Sequence, residues 1–266
     1  MTSKSLPMFA TIAWREQAVN IEYQWIGDHQ RRAPLIIFLH EGLGSLSMWR
    51  DFPQKLCQAL GARGLVYSRP TYGKSTQRAV DENWQPDFMH RQAYEVLPAL
   101  LQALNINPME QALWLLGHSD GGSIALLYAA EFSHQLQGIV VLAPHIFVED
   151  LTIQSIEQAK TAYLTTDLPS KLARYHDNPD AAFWAWNTIW LSADFRAWSI
   201  EKNLDTISCP ILAIQGAEDE YGTLEQIHGI SRRLPHTKVV ELPDCGHSPH
   251  RDQQETLIAI IRDFIH

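Results

Sequence analysis

The sequence predicts an α/β fold with a mainly parallel, eight-stranded sheet, helices on both faces and one inserted helical segment. Three observations carry this expectation. Short, continuously apolar runs such as Leu35–Leu39 and Gly138–Leu142 read as strands buried on both faces. Segments with helical spacing alternate with those runs, which is the pattern of parallel strands joined by crossover helices. One long stretch, 145–207, breaks the alternation and is crowded with aromatic residues.

The elements follow in order. Residues 9–14 and 19–25 read as two strands joined by the polar turn Arg15-Glu16-Gln17, an antiparallel hairpin. Pro34 opens the buried strand Leu35–Leu39. Helical spacing covers 49–60, and a short strand covers 64–68. Residues 90–104 form a helix that must tolerate Pro98. The apolar run 112–116 is a strand, and the helix formers of 123–131 follow it closely. After the strand Gly138–Leu142 comes the aromatic interruption. A strand at 210–214, a helix at 224–234, a strand at 238–242 and an amphipathic helix at 254–264 complete the chain. The expected division is a core of 1–144 and 208–266, with 145–207 as a helical cap.

Composition bounds the function. A chain of 266 residues with 45% hydrophobic and 19% charged residues builds a core without disulfide or metal staples. The net charge of −9 argues against nucleic acid and anionic membrane as partners. Three scattered cysteines, Cys57, Cys209 and Cys245, suggest buried thiols in a reducing compartment. Residues 1–10 lack a basic-then-apolar leader, and no run approaches a membrane span. The expected location is cytoplasmic, by default. A small molecule is the expected partner, and a homodimer stays open.

The stretch most telling of chemistry is Gly117-His118-Ser119-Asp120-Gly121. It fits the G-x-S-x-G nucleophile elbow, and it stands where that motif belongs, between a strand and a helix. A serine hydroxyl needs a base to take its proton, and the base needs a partner to hold its tautomer. With this elbow the chain order is Ser, then an acid, then His, each after a later strand. The strand ending at Ile214 is followed by Glu218-Asp219-Glu220, of which Asp219 is the candidate acid and its two neighbours are competitors. After the last strand comes Asp244-Cys245-Gly246-His247-Ser248-Pro249-His250. His247 is the candidate base, and His250 reads as a surface or supporting residue. A metal reading of His247 and His250 with Asp244 lacks a second ligand pair, so no metal and no cofactor are expected.

An acyl-transfer site also needs donors for the negative oxygen. The N–H of Asp120, after the nucleophile, is one. The loop His40-Glu41-Gly42-Leu43-Gly44-Ser45 supplies the other, with Gly42 first and Leu43 as the alternative. For the substrate wall the candidates are Trp184, Trp186 and Trp190 of the aromatic stretch, His145 at its start, and Leu43. Taken singly, each of those aromatics is better explained by the cap's own small core and its seam with the main domain; as a group, some must face the pocket.

At this point the chain resembles the α/β-hydrolase superfamily, in the branch with a cap between core strands six and seven. The residues that carry the resemblance are His40-Glu41-Gly42 with Trp49, Ser68-Arg69-Pro70-Thr71-Tyr72-Gly73-Lys74-Ser75, Gly117 to Gly122, Gly216 to Asp219, and Gly246-His247. Two departures stand out. Thr71 replaces a usual glycine, and Glu41 follows the histidine where glycine is usual. With Asp120 also acidic, two carboxylates fall near the site. Either they disfavour anionic substrates, or they bond each other or loop backbone and brace the donors. The resemblance implies a carboxylic-ester hydrolase for small to medium, largely apolar substrates. Carbon–carbon hydrolysis of dioxo ring-cleavage products and thioester hydrolysis use the same triad and stay open. A ligand receptor on a hydrolase body is a remote alternative. Aspartate-nucleophile dehalogenases and epoxide hydrolases are excluded by the serine. The proline iminopeptidase loop is absent, which argues against peptidase activity.

Overall fold

The computed structural model describes residues 8–28, 33–79 and 82–266. Most of the segment 1–10, on which the expectation about a leader rests, lies outside them. The strands are β1 (Met8–Trp14), β2 (Gln17–Ile26), β3 (Leu35–Leu39), β4 (Arg63–Tyr67), β5 (Leu113–His118), β6 (Gly138–Leu142), β7 (Ile211–Gly216) and β8 (Thr237–Leu242). The helices are α1 (Phe52–Leu60), α2 (Phe88–Arg91), α3 (Leu97–Ala103), α4 (Asp120–Phe132), α5 (Asp150–Thr165), α6 (Leu168–Leu172), α7 (Pro179–Trp190), α8 (Glu201–Leu204), α9 (Glu225–Arg233), α10 (Pro249–Asp252) and α11 (Gln254–Ile265).

All eight strands form one sheet in the order β1-β2-β4-β3-β5-β6-β7-β8. The β1–β2 and β2–β4 pairs are antiparallel, and the pairs from β4 through β3 to β8 are parallel. The central strands β3, β5, β6 and β7 are buried along their whole length, as their unbroken apolar runs require. Alternate residues feed two cores. Leu35, Ile37 and Leu39 face the layer that holds α3, α4 and α9. Ile36 and Phe38 face α1 and α11, through Phe52, Leu56, Leu257 and Ile261. The three cysteines are buried free thiols, and burial pushes Cys57 up to about 12.

Pro98 changes the expected helix at 90–104. The helix is interrupted by a π turn at Gln92–Val96, and α3 restarts with Pro98 in its first turn. Proline cannot donate to the carbonyl four residues back and collides with it, and the wider turn just before it makes the room. The helical spacing at 49–60 likewise resolves into a 3₁₀ turn at Leu46–Trp49 followed by α1.

Parallel strands place their C-terminal ends at one edge. Leu39 pairs with Gly117, His118 with Leu142, and Gly216 with Leu242. The loops that follow β3, β4, β5, β6, β7 and β8 therefore meet at this edge. Between β6 and β7 the chain forms α5 to α8. Helix α7 is started by Asn178, whose side chain accepts the Ala181 N–H at 2.9 Å, a cap that stabilises by about 1 kcal/mol. Among the described residues no helix is long and apolar enough to cross a membrane.

Candidate active site

Ser119 sits between β5 and α4 with φ 53° and ψ −121°, a conformation that costs a non-glycine residue energy. Its neighbours permit that turn. A Cβ on Gly117 would lie 2.1 Å from the Gly121 carbonyl oxygen, and one on Gly121 would lie 2.0 Å from that of Leu39. Both positions therefore require glycine. The hydroxyl has no hydrogen-bond partner among the described residues, and Ser119 lines a cavity of about 270 Å³.

His247 lines the same cavity. Its Nδ1 lies 2.8 Å from Asp219 Oδ1. A carboxylate only accepts, so Nδ1 carries the proton and Nε2 is left for the cavity. Asp219 is held in turn: Oδ1 accepts the Tyr221 N–H at 2.8 Å, and Oδ2 accepts from Gln215 Nε2 at 3.0 Å. Burial lowers the affinity of His247 for a proton, but the hydrogen bond and charge of Asp219, with Glu220 and Glu41, carry its pKa above the ordinary value. For Asp219 burial acts upward, and the His247 bond and charge outweigh it, so its pKa falls. Of its two acidic neighbours, Glu220 accepts the His247 backbone N–H at 3.1 Å. It touches the main chain of His247 and not the ring. His247 Nε2 forms no hydrogen bond with Ser119; bonds of this kind often tighten only in the complex with substrate.

The loop after β3 is fixed from behind. The Glu41 carbonyl accepts from His40 Nδ1 at 2.7 Å, Arg69 Nη2 at 2.8 Å and the Gly44 N–H at 3.0 Å. A trans peptide is planar, so pinning that carbonyl turns the Gly42 N–H the opposite way. Among the described residues this N–H has no partner, and Gly42 lines the cavity. The Leu43 carbonyl is held by His176 Nε2 at 3.0 Å, from the connection between α6 and α7. The N–H of Asp120 opens α4, where helix geometry leaves it without an intrahelical acceptor.

The two carboxylates do not bond each other. Asp120 is buried; its Oδ2 lies 3.5 Å from Arg69 Nη2, and its Oδ1 accepts from Trp190 Nε1 at 3.3 Å. Burial raises its pKa, and Arg69 and Trp190 offset only part of that. Glu41 pairs with Arg251 at 3.2 Å and lies 3.5 Å from His118 Nδ1. Burial pushes its pKa up, and His118 and then Arg251 reverse this, leaving it well below the carboxylate range. His118 Nε2 donates to the His247 carbonyl at 2.7 Å. Arg69 and His118 went unnoticed as site residues in the sequence. One signal for Arg69 was available: two buried acids near one site call for a cation.

Of the wall candidates, Leu43, His145, Trp186 and Trp190 line the cavity, along with Ile156, Leu172 and Tyr221. Trp184 does not. It packs on Tyr163 and Phe183, with ring centroids 5.7 and 5.1 Å away. Helix periodicity explains this, since 186 and 190 share a face and 184 points roughly 140° from its middle. Burial and the charge of His247 bring the His145 pKa down to about 3. His250 is not a surface residue; it is buried against Trp49, Phe52 and His118. Thr71 keeps the left-handed backbone of the glycine it replaces, at φ 83°. Among the described residues no group of three or more His, Cys, Asp or Glu is arranged to hold a metal ion.

The profile of the Alpha/beta hydrolase family matches residues 36–260. The chain belongs to this family. Alpha/beta hydrolases similar to it include the sn-1-specific diacylglycerol lipase ABHD11 of Mus musculus, 23% identical over 90% of this chain and 83% of that protein. The 2-hydroxy-6-oxo-6-phenylhexa-2,4-dienoate hydrolase of Burkholderia cepacia is 21% identical over 86% of this chain and 87% of its own length. Among solved structures, a thermophilic esterase from Thermogutta terrifontis superposes with a TM-score of 0.73 at 17% identity, covering 98% of each chain. The enol-lactonase of Burkholderia xenovorans gives 0.73 at 20% identity, covering 93% of this chain and 96% of that one. These likenesses make the chain an alpha/beta hydrolase in fold and family, with relatives that are hydrolases.

Proposed function

We propose that this alpha/beta hydrolase cleaves carboxylic esters through an acyl-enzyme on Ser119. The observation that carries the reading is the His247–Asp219 bond at 2.8 Å, in a cavity shared with a serine on a tight strand-to-helix turn. Ser119 Oγ attacks the ester carbonyl, and its proton passes to His247 Nε2. Asp219 stabilises the imidazolium. The N–H groups of Gly42 and Asp120 receive the oxyanion. The bond to the alcohol oxygen breaks as His247 returns the proton to it. Water then repeats the sequence and frees the acid.

The cavity size and its walls of Leu43, Ile156, Leu172, Trp186 and Trp190 suit a small to medium, largely apolar substrate. Residues 145–207 act as the cap over it. Glu41 and Asp120 each have their own cationic or N–H partner, which favours bracing over a role in repelling anions. The test is multiple turnover by purified protein on a panel of esters, thioesters and dioxo acids, with Ser119→Ala as control. Ester turnover that Ser119→Ala abolishes, at similar rates for neutral and carboxylate-bearing esters, is expected. Preference for dioxo acids or thioesters would reassign the reaction. Binding without turnover would make the protein a receptor.

A further inference from the structure

Trp186 packs on the side of Gly42 where any other residue would carry its Cβ. A Cβ on Gly42 would sit 2.3 Å from both Cδ1 and Nε1 of the indole. The edge that carries the indole N–H therefore rests on the residue whose own N–H is free at the cavity. Among the described residues Trp186 Nε1 has no hydrogen-bond partner, although Trp186 lines the cavity. Its neighbour one turn on is different, because Trp190 Nε1 is committed to Asp120 Oδ1. An apolar filler has no need to leave a donor open beside the oxyanion loop. A tetrahedral oxyanion has three lone pairs, and two backbone N–H groups satisfy two of them. The helix that carries the indole is held in place: Asn187, the next residue, donates from its side chain to the Ile156 carbonyl at 3.1 Å, tying α7 to α5.

We propose that the Trp186 indole N–H is a third donor to the substrate carbonyl oxygen, supplied by the helical insertion between β6 and β7. The proposal rests on the acyl-enzyme reading above. It makes the oxyanion site complete only with α7 seated over the loop, so that the insertion takes part in the chemistry as well as enclosing the substrate.

The test uses a phenylboronic acid, which forms a tetrahedral adduct on an activated serine, and the ¹⁵N–¹H indole signals of the full chain. Trp186 is assigned by its loss in Trp186→Phe. A downfield shift of that signal in the wild-type adduct is expected. Trp186→Phe, with unchanged far-ultraviolet circular dichroism, should lose at least tenfold in kcat, toward the roughly 10² that one such donor supplies. KM should stay within about threefold, and boronate affinity should fall in step with kcat/KM. An adduct on Ser119 with an unmoved Trp186 signal, or a Phe variant within twofold of wild-type kcat, overturns this proposal and leaves the acyl-enzyme reading standing. If no adduct forms on wild type, both fall.

Discussion

Replacing Asp219 by Asn removes one charge while keeping the shape, and the structure states what else must change. Oδ1 accepts from both His247 Nδ1 and the Tyr221 N–H, and Oδ2 accepts from Gln215 Nε2. An amide has one oxygen. Placed on the Oδ1 side, it keeps two of the three bonds and sets its NH₂ against the Gln215 NH₂. Reversed, it loses both Oδ1 bonds and forces His247 into the wrong tautomer. The first orientation wins, so the loss is mainly that of the charge beside the imidazolium. Unit charges about 4 Å apart at an effective dielectric of about 20 interact by about 4 kcal/mol, which corresponds to about 10³ in rate. A tautomer reversal would bring the loss to about 10⁴, as it does in serine proteases. The assay is kcat/KM against pH with a p-nitrophenyl ester. Asp219→Asn should lower the plateau by about 10³ and move the acid limb to lower pH, because the group that raises the His247 pKa has lost its charge. Near-full activity of Asp219→Asn, with a collapse in Glu218→Gln or Glu220→Gln, would refute the assignment of the acid.

Three further outcomes are expected. In the wild type kcat/KM should rise with pH through an apparent pKa above the usual histidine value of about 6.5, because the base must be neutral and its pKa is raised; a pH profile flat from 5 to 8 would contradict this. Gly42→Ala has no backbone obstacle, since its φ is not positive, so its cost comes from the Trp186 contact; it should lower stability by roughly 1–3 kcal/mol and kcat by at least tenfold, read by thermal melting and ester kinetics. His40, His145 and His250 are buried with pKa values depressed below those of the unfolded chain, chiefly by desolvation. Their stability contribution is full above about pH 6.5 and is lost as pH falls toward the folded values, by about 1.4 kcal/mol per pH unit for each histidine. His250→Phe should remove one histidine's share of that slope between pH 6.5 and 5.5 in denaturant titrations, and an unchanged slope would show that His250 takes up a proton in the folded state.

The sequence announced what depends on local pattern. Unbroken apolar runs marked β3 and β6 to the residue, and turn-bounded strands placed Ser119, Asp219 and His247 at one sheet edge. It was silent where distance between remote segments decides. The role of Arg69 depends on the Glu41 carbonyl and Asp120 meeting across three strands. The burial of His250 depends on the 3₁₀ turn at Leu46–Trp49 supplying Trp49 and on α1 supplying Phe52. Helix periodicity alone would have separated Trp184 from Trp186 and Trp190, had it been applied within the aromatic stretch. The π turn before Pro98 follows from a clash that the residue marks, but the form of the relief is set by packing.

The most direct measurement is peptide mass spectrometry on protein acid-quenched during turnover of a slowly deacylated p-nitrophenyl ester. One acyl group on the peptide that holds Ser119, present at steady state and gone when substrate is exhausted, is expected. Ester turnover with Ser119 unmodified and with Ser119→Ala still active would contradict the account.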